Sequence, residues 1–417
     1  MHQRTIRPIL ALPALVFLLA ACGDAPATAG EPVVRDSAGI RIIENPATGE
    51  WADDGWALQE ELRIGVSSGD PEFQFGNIIG VDVDSEGRIV VMDGQARRVR
   101  IFDPEGELVS AFGRSGGGPG EFSQALSQPP GGLFVDAEGA IVVPDLGNQR
   151  LARFDFQGEA LESPSLSLDS GVPMLWMRSA DRGVYKQFRR MDMTGGMPMG
   201  DMTDEIVRLE PGTSTGEPVV TLPAGETFSM GSGGMPEIRI FAPEPIWAVV
   251  GDGRLVTGLS SEYSLEIRGE NGERTIVRRD TRRRPVTEGQ KRSFVELFEI
   301  AFEEQGVPQE MAGPFLDAIQ FEEEWPALAR LIGGPDGTLW VQRVDPDSAV
   351  DELTVEALQA GDFGSPRWDV FGADGSYLGE IEVPGRFVPF VFDGDYLYGV
   401  DRDEFEVQQV VRLRVVR

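Results

Sequence analysis

Residues 80–109 align with residues 132–161 at a constant offset of 52, without a gap, and fourteen of the thirty positions are identical. Among them are Asp84/Asp136, Glu86/Glu138, Gly87/Gly139, Asp93/Asp145, Arg98/Arg150, Phe102/Phe154, Asp103/Asp155 and Gly106/Gly158. A chain that repeats near this period is built of stacked units, because one unit cannot bury its apolar surface alone. Each unit reads as a strand, an Asp-x-Glu-Gly turn, a strand ending in Asp, a short loop carrying Arg, a strand ending Phe-Asp, a Gly turn and a fourth strand. Val, Ile and Phe fill the strands, while Gly and Asp supply the tight turns. Four short strands at this spacing predict a propeller blade.

Degenerate copies follow. Gly333 to Val341 repeats the turn and second strand, and Trp368-Asp369-Val370-Phe371 with Asp374-Gly375 repeats the third strand and its turn. Weaker units lie around Leu175–Pro211, Val250–Arg274 and Phe390–Val416, which makes six. The last offers only three strands, and the stretch Trp56 to Val66 is placed to add the fourth. Closing the ring this way removes free sheet edges. The expected fold is therefore all-β, a six-bladed propeller closed by an N-terminal strand, with one helical insertion at about 287–320. Within that insertion Thr287 and Gln290 form a capping pair, and Phe294, Leu297, Phe298, Ala301 and Phe302 follow at helical spacing. Gly306 and Pro308 end this helix, predicted over 288–305, whose Phe face is expected to pack on the propeller.

The run Asp145-Leu-Gly-Asn148-Gln-Arg150 with Phe154-Asp155-x-x-Gly158 resembles the NHL repeat, and Phe112-Gly113-Arg114 through Glu121-Phe122 is similar to that family's inter-blade link. The likeness is sharp over 73–165, weaker over 326–380 and thin elsewhere. It implies an NHL/TolB-like six-bladed propeller of the kind carried by bacterial lipoproteins. Such propellers serve as binding modules and as enzymes alike.

The N-terminus carries its own signal. Arg4 and Arg7 precede an apolar run, Ile9 to Leu19, that is too short to span a bilayer, which needs about 20 residues. It ends in Leu19-Ala20-Ala21-Cys22, which resembles the bacterial lipobox, in which the Cys becomes the lipidated first residue. The expected division is a signal peptide over 1–21, lipidated Cys22 and a flexible tether over 22–50, and the propeller over 51–417. Gly23 after the Cys resembles the pattern that sorts lipoproteins to the outer membrane.

Composition then narrows the chemistry. The sole His is His2 and the sole Cys is Cys22, so a mature chain has no Ser-His-Asp triad, no Cys-His pair, no His- or Cys-ligated zinc and no internal disulfide. Removing 1–21 takes away two basic residues and no acid, leaving 35 − 69 = −34. Such a charge repels a phosphate backbone, so nucleic acid is not an expected partner.

Five motifs carry alternative readings. Asp82-Val-Asp84-Ser-Glu86-Gly87 with Asp93 mimics a calcium loop, but the flanks alternate as strands and Phe134 replaces Asp82 in the sister repeat. A structural turn is the better reading. Gly116-Gly117-Gly118-Pro119-Gly120 lacks the Lys-Ser/Thr of a phosphate cradle and reads as a blade linker. Met191, Met193, Met197, Met199 and Met202 are a weak candidate set for Cu(I), against an ordinary blade insertion. Arg278, Arg279, Arg282, Arg283 and Arg284 read as a strand end paired with carboxylates, with an anionic partner as the alternative. Asp93, Asp145 and Asn148, beside Arg98 and Arg150, are the binding candidates, although their recurrence favours tying down turns and bridging blades.

The function expected is that of a lipid-anchored extracytoplasmic binding module for an envelope protein, peptide or glycan, monomeric, without cofactor or catalytic residue. It would touch the membrane through its anchor alone. The alternative is a lactonase, hydrolase or lyase that depends on a calcium-like ion. Trp176, Trp247 and Trp340 are expected on strands, as core residues more than sugar platforms.

Overall fold

A computed structural model describes residues 30–51, 55–168, 171–190, 202–230, 236–251, 253–269, 271–304, 306–346 and 364–417. The leader, Cys22 and four of the five clustered methionines, Met191, Met193, Met197 and Met199, lie outside the described residues.

Six antiparallel sheets form a ring. Blade 1 runs from Ile78–Val83 through Ile89–Asp93 and Arg98–Phe102 to Leu108–Phe112, in sequential order. Blade 2 holds Phe134–Val135, Ile141–Asp145 and Arg150–Phe154, with two isolated bridges, Phe154 to Ala160 and Arg150 to Ser165, in place of a fourth strand. Blade 3 spans Gly171–Arg178 to Gly216–Pro223, blade 4 Pro245–Val250 to Arg274–Arg279, and blade 5 Leu328–Gly333 to Tyr377–Glu382. Blade 6 has three C-terminal strands, the last Gln408–Val416, and its fourth is Ala57–Ile64, paired antiparallel to that strand. The ring closes as the sequence predicts and lies entirely within residues 33–417.

In blades 1 and 2 the first two strands are covered on both faces by neighbouring blades and are buried throughout, whereas outer strands such as Ala57–Ile64 and Gly216–Pro223 stay largely exposed. In Ile89–Asp93 every residue is buried. Ile89 and Val91 join the cluster between blades 6 and 1, while Val90 and Met92 join the one between blades 1 and 2, as the period of two dictates. Comparable clusters fill the other junctions: Phe134 and Leu151 with Trp176, Tyr185 with Trp247, Leu265 with Leu339, and Trp340 with Leu413.

Residues 30–50, assigned by the sequence to a tether, include an ordered hairpin. Val33–Ser37 pairs with Ile40–Asn45, which adds in parallel to the outer strand Arg274–Arg279 and makes blade 4 six-stranded. Ala38 and Gly39 both take positive φ, 51° and 81°, the backbone of a two-residue hairpin turn. Ile43 is buried, and Asn45 exchanges hydrogen bonds with Gly375 O (3.0 Å) and Tyr377 N (2.8 Å) of blade 5. The alternating residues of 33–44 cover what would otherwise be an open edge.

The helical insertion contains two helices, not one: α1 (Glu288–Glu304) and α2 (Gln309–Asp317). The capping pair is formed, Thr287 N donating to Gln290 Oε1 (3.0 Å) and Gln290 N to Thr287 Oγ1 (3.2 Å). The Phe face is divided. Phe294 packs with Phe241, Val286 and Trp325 beside the propeller, whereas Phe298 and Phe302 meet Phe315 of α2. Pro308 begins the second helix as well as bounding the first. Among the described residues no helix is long and apolar enough to cross a membrane.

All six inner strands run the same way along the axis, which gives the ring two unlike ends. At the C-terminal ends of these strands the connections are tight, such as Asp84–Gly87 and Asp136–Gly139. At their N-terminal ends lie the long connections, including α1 and α2.

Candidate functional site

The binding candidates read from the sequence fall at the end of the long connections, and each is occupied. The Asp93 carboxylate is 1% exposed and accepts from the N–H groups of Gly76, Asn77, Gln95 and Ala96 and from Arg100 Nη1. Asp145 accepts from Ser123 N, Asn148 Nδ2 (2.7 Å) and Arg150 Nε (3.3 Å). Asn148 also reaches Gly116 O, and Arg150 reaches Gly118 O and Glu121 O. Together they staple the Gly-rich linker to blade 2. Arg98 pairs with Glu72 at 2.6 Å. The two aspartates, Asn148 and the two arginines therefore hold loops to blades, and none of them lines the cavity described below.

The other motifs also find partners. Asp84 accepts from Glu86 N, Arg88 N and Arg88 Nε, and Asp136 accepts from Glu138 N and Ala140 N, so the calcium-like loop is a hydrogen-bonded turn in both copies. In the basic run Arg278 meets Glu44, Arg279 meets Asp369 and Arg283 meets Glu324. Met202 directly precedes the strand Thr203–Leu209. Trp176, Trp247 and Trp340 are at most 2% exposed.

A site with room for a ligand is the axial channel, a cavity of ≈ 390 Å³ walled by the inner strands. Its wall is largely apolar: Leu175, Met177, Ile246, Leu331, Ile332, Phe390 and Phe392 contribute, with Pro129 and Pro130. Four charged residues line it: Asp82, Arg178, Arg330 and Asp336.

Asp82, on the blade 1 inner strand, points at blade 2 and takes Val135 N at 2.7 Å. From blade 3, Arg178 Nε lies 2.9 and 3.0 Å from the two Asp82 oxygens, with Arg178 Nη2 at 2.8 Å. The side chains are 2% and 3% exposed, so this is a buried, multidentate pair tying blade 1 to blade 3 past blade 2. Asp393 of blade 6 stands 4.0 Å from Arg178 and 3.6 Å from Arg182, and Arg182 Nη1 donates to Val83 O. Burial raises the Asp393 pKa above its ordinary value, against the pull of Arg178 and Arg182.

Sequence reasoning missed this pair, although a signal was present. Asp82 is one of the positions where blade 1 departs from blade 2, whose Phe134 instead stacks on Trp176 at 6.1 Å.

A calcium-like ion does not fit here. Both Asp82 oxygens are held by a guanidinium and backbone amides, and Asp393 faces two guanidiniums, so an added cation would meet fixed positive charge. Among the described residues no group of three His, Cys, Asp or Glu side chains is placed to hold a metal.

Comparison with known proteins agrees with the architecture. A family model described as a 6-bladed beta-propeller matches residues 70–187. No curated protein matches the chain. Among solved structures, virginiamycin B lyase from Staphylococcus aureus is similar at 11% identity over 87% of this chain and 100% of its own, with a TM-score of 0.41. A gluconolactonase from Xanthomonas campestris is similar at 14% identity over 85% and 98%, with a TM-score of 0.40. A member of the duf4221 family from Bacteroides vulgatus is similar at 12% identity over 87% and 98%, with a TM-score of 0.46.

Proposed function

We propose that the chain is a lipid-anchored extracytoplasmic binding module of the NHL type, whose axial channel receives an apolar ligand or the apolar part of an envelope partner. Cys22 is its point of attachment to the outer membrane. The observation that carries the reading is the channel itself: an apolar wall around ≈ 390 Å³, with its buried aspartate spent on Arg178. A cavity of this size and lining suits a drug-sized apolar group. A peptide or acyl group matches it better than a sugar, because Trp176 and Trp247 border the cavity but, at 2% exposure, offer no open ring face for stacking. No step of chemistry follows from the arrangement, since no described nucleophile stands beside a free base in the channel.

The test uses phenylnaphthylamine, a neutral dye that fluoresces in apolar surroundings, and the chain from residue 23 on, which contains the whole ring. The dye is expected to bind at one per chain, and Ala329→Trp, which fills the channel wall, to weaken it at least tenfold. Equal uptake by both proteins would remove the channel reading. The anchor is checked separately: Cys22→Ser should move the protein from the membrane to the soluble fraction of an expressing bacterium.

A further inference from the structure

Of the four charged residues that line the channel, three are already paired. Asp82 holds Arg178, and Asp336 is bound by Arg417 Nη2 at 2.7 Å. Arg330 is the fourth. It belongs to the blade 5 inner strand Leu328–Gly333, is half-buried, and makes no hydrogen bond or ion pair with any described residue. A register shift between Leu328 and Arg330 against the neighbouring strand sets Leu328 and Leu331 into the cluster between blades 4 and 5. Ile332 packs instead against the cluster between blades 5 and 6. The strand thus puts Arg330 in a largely apolar channel lining, with no donor spent on a described residue.

A half-buried guanidinium without a partner among the described residues has its donors open to a ligand in the channel. We infer that the channel takes an apolar monoanion, its carboxylate or sulfonate head held by Arg330 and its apolar body lying along the wall. This rests on the channel reading above and adds the charge of the ligand to it. A carboxylate matches the guanidinium fork in a bidentate pair. The overall charge of −32 repels anions from a distance, but salt screens that repulsion beyond about 10 Å at 0.1 M. At contact the local guanidinium decides.

Two dyes of nearly the same shape separate the claims: phenylnaphthylamine, which is neutral, and anilinonaphthalene sulfonate, which adds one anionic group. The chain from residue 23 on, Arg330→Met and Ala329→Trp are titrated with each, and thermal unfolding confirms that each variant is folded. The native protein is expected to bind the sulfonate about tenfold to a hundredfold more tightly than the neutral dye, the range of one charge-assisted contact. Arg330→Met should abolish that preference and leave the neutral dye unchanged, and Arg330→Lys should keep part of it. Equal affinity for both dyes in the native protein, or a preference that survives in Arg330→Met, overturns the role of Arg330 while the channel reading stands. Loss of both dyes together in Arg330→Met also overturns it. If neither dye binds, or Ala329→Trp affects neither, the channel reading falls and this inference falls with it.

Discussion

Asp82 in blade 1 and Phe134 in blade 2 occupy the same place in the repeat and face the same strand of blade 3, Gly171–Arg178, yet they do opposite things. Phe134 stacks on Trp176 and seals a junction, while Asp82 takes Arg178, two residues further along that strand. Asp93 and Asp145 are also repeat partners, and they do the same thing: each ties a loop to its blade through backbone N–H groups and an arginine. Identity between the copies therefore marks scaffold, because every blade must satisfy the same turns. The difference between Asp82 and Phe134, by contrast, falls where the two blades border the channel, and there each blade presents its own side chain.

The largest expected effect breaks the scaffold side. Asp145→Ala removes a fully buried carboxylate that ties Ser123 N, Asn148 and Arg150 together, and should cost about 3–5 kcal/mol in urea unfolding. A loss below about 1 kcal/mol would deny the repeated aspartate its structural role.

Next comes the channel position. Asp82→Phe, which gives blade 1 the residue of blade 2, leaves Arg178 buried without its partner and should cost about 3 kcal/mol. Adding Arg178→Met should restore much of that loss, since it removes the stranded guanidinium and leaves an apolar pair where the buried ion pair stood. A double variant no more stable than the single would show that Asp82 acts as scaffold after all.

Two smaller effects concern the ends of the ring. Thr287→Ala removes one half of the α1 capping pair and should cost about 1 kcal/mol, seen as faster amide exchange in the first turn of α1. Asp393→Asn should act in the other direction. A raised pKa means the folded state holds the proton more tightly than the unfolded chain, so ionising Asp393 lowers stability as pH rises above the ordinary Asp range. The Asn variant should melt slightly higher than the native protein at neutral pH, with the gap closing in acid. A variant that melts lower at neutral pH would mean that the contacts with Arg178 and Arg182 outweigh burial.

Much of the fold was legible because its grammar is local. The fourteen identities and the Thr287/Gln290 cap follow from short-range pattern, and the strand at 56–66 follows from counting, because the last blade offers three strands and ring closure needs a fourth. The hairpin at 33–45 was not legible. Its strands are exposed or half-buried at most positions, and what orders them is pairing with residues 274–279, more than two hundred positions away. The second helix was hidden for a related reason: Pro308 was read as the end of α1, and it also opens α2. At the site, sequence reasoning weighed the residues that recur, and those proved to be engaged with loops. Arg178 and Arg330 lie in blades whose copies are too degenerate to align, so nothing local set them apart from other arginines.

The most direct test pairs urea stability with phenylnaphthylamine uptake in two variants of the chain from residue 23 on. Asp145→Ala is predicted to lower the urea midpoint strongly while its folded fraction keeps the native dissociation constant for the dye. Asp82→Phe with Arg178→Met is predicted to keep the midpoint close to native and to weaken the dye about tenfold, because the phenyl ring is much larger than the carboxylate it replaces and takes up space in the channel. The opposite pattern, dye uptake altered by Asp145→Ala and untouched by the double substitution, would contradict the division between scaffold and channel.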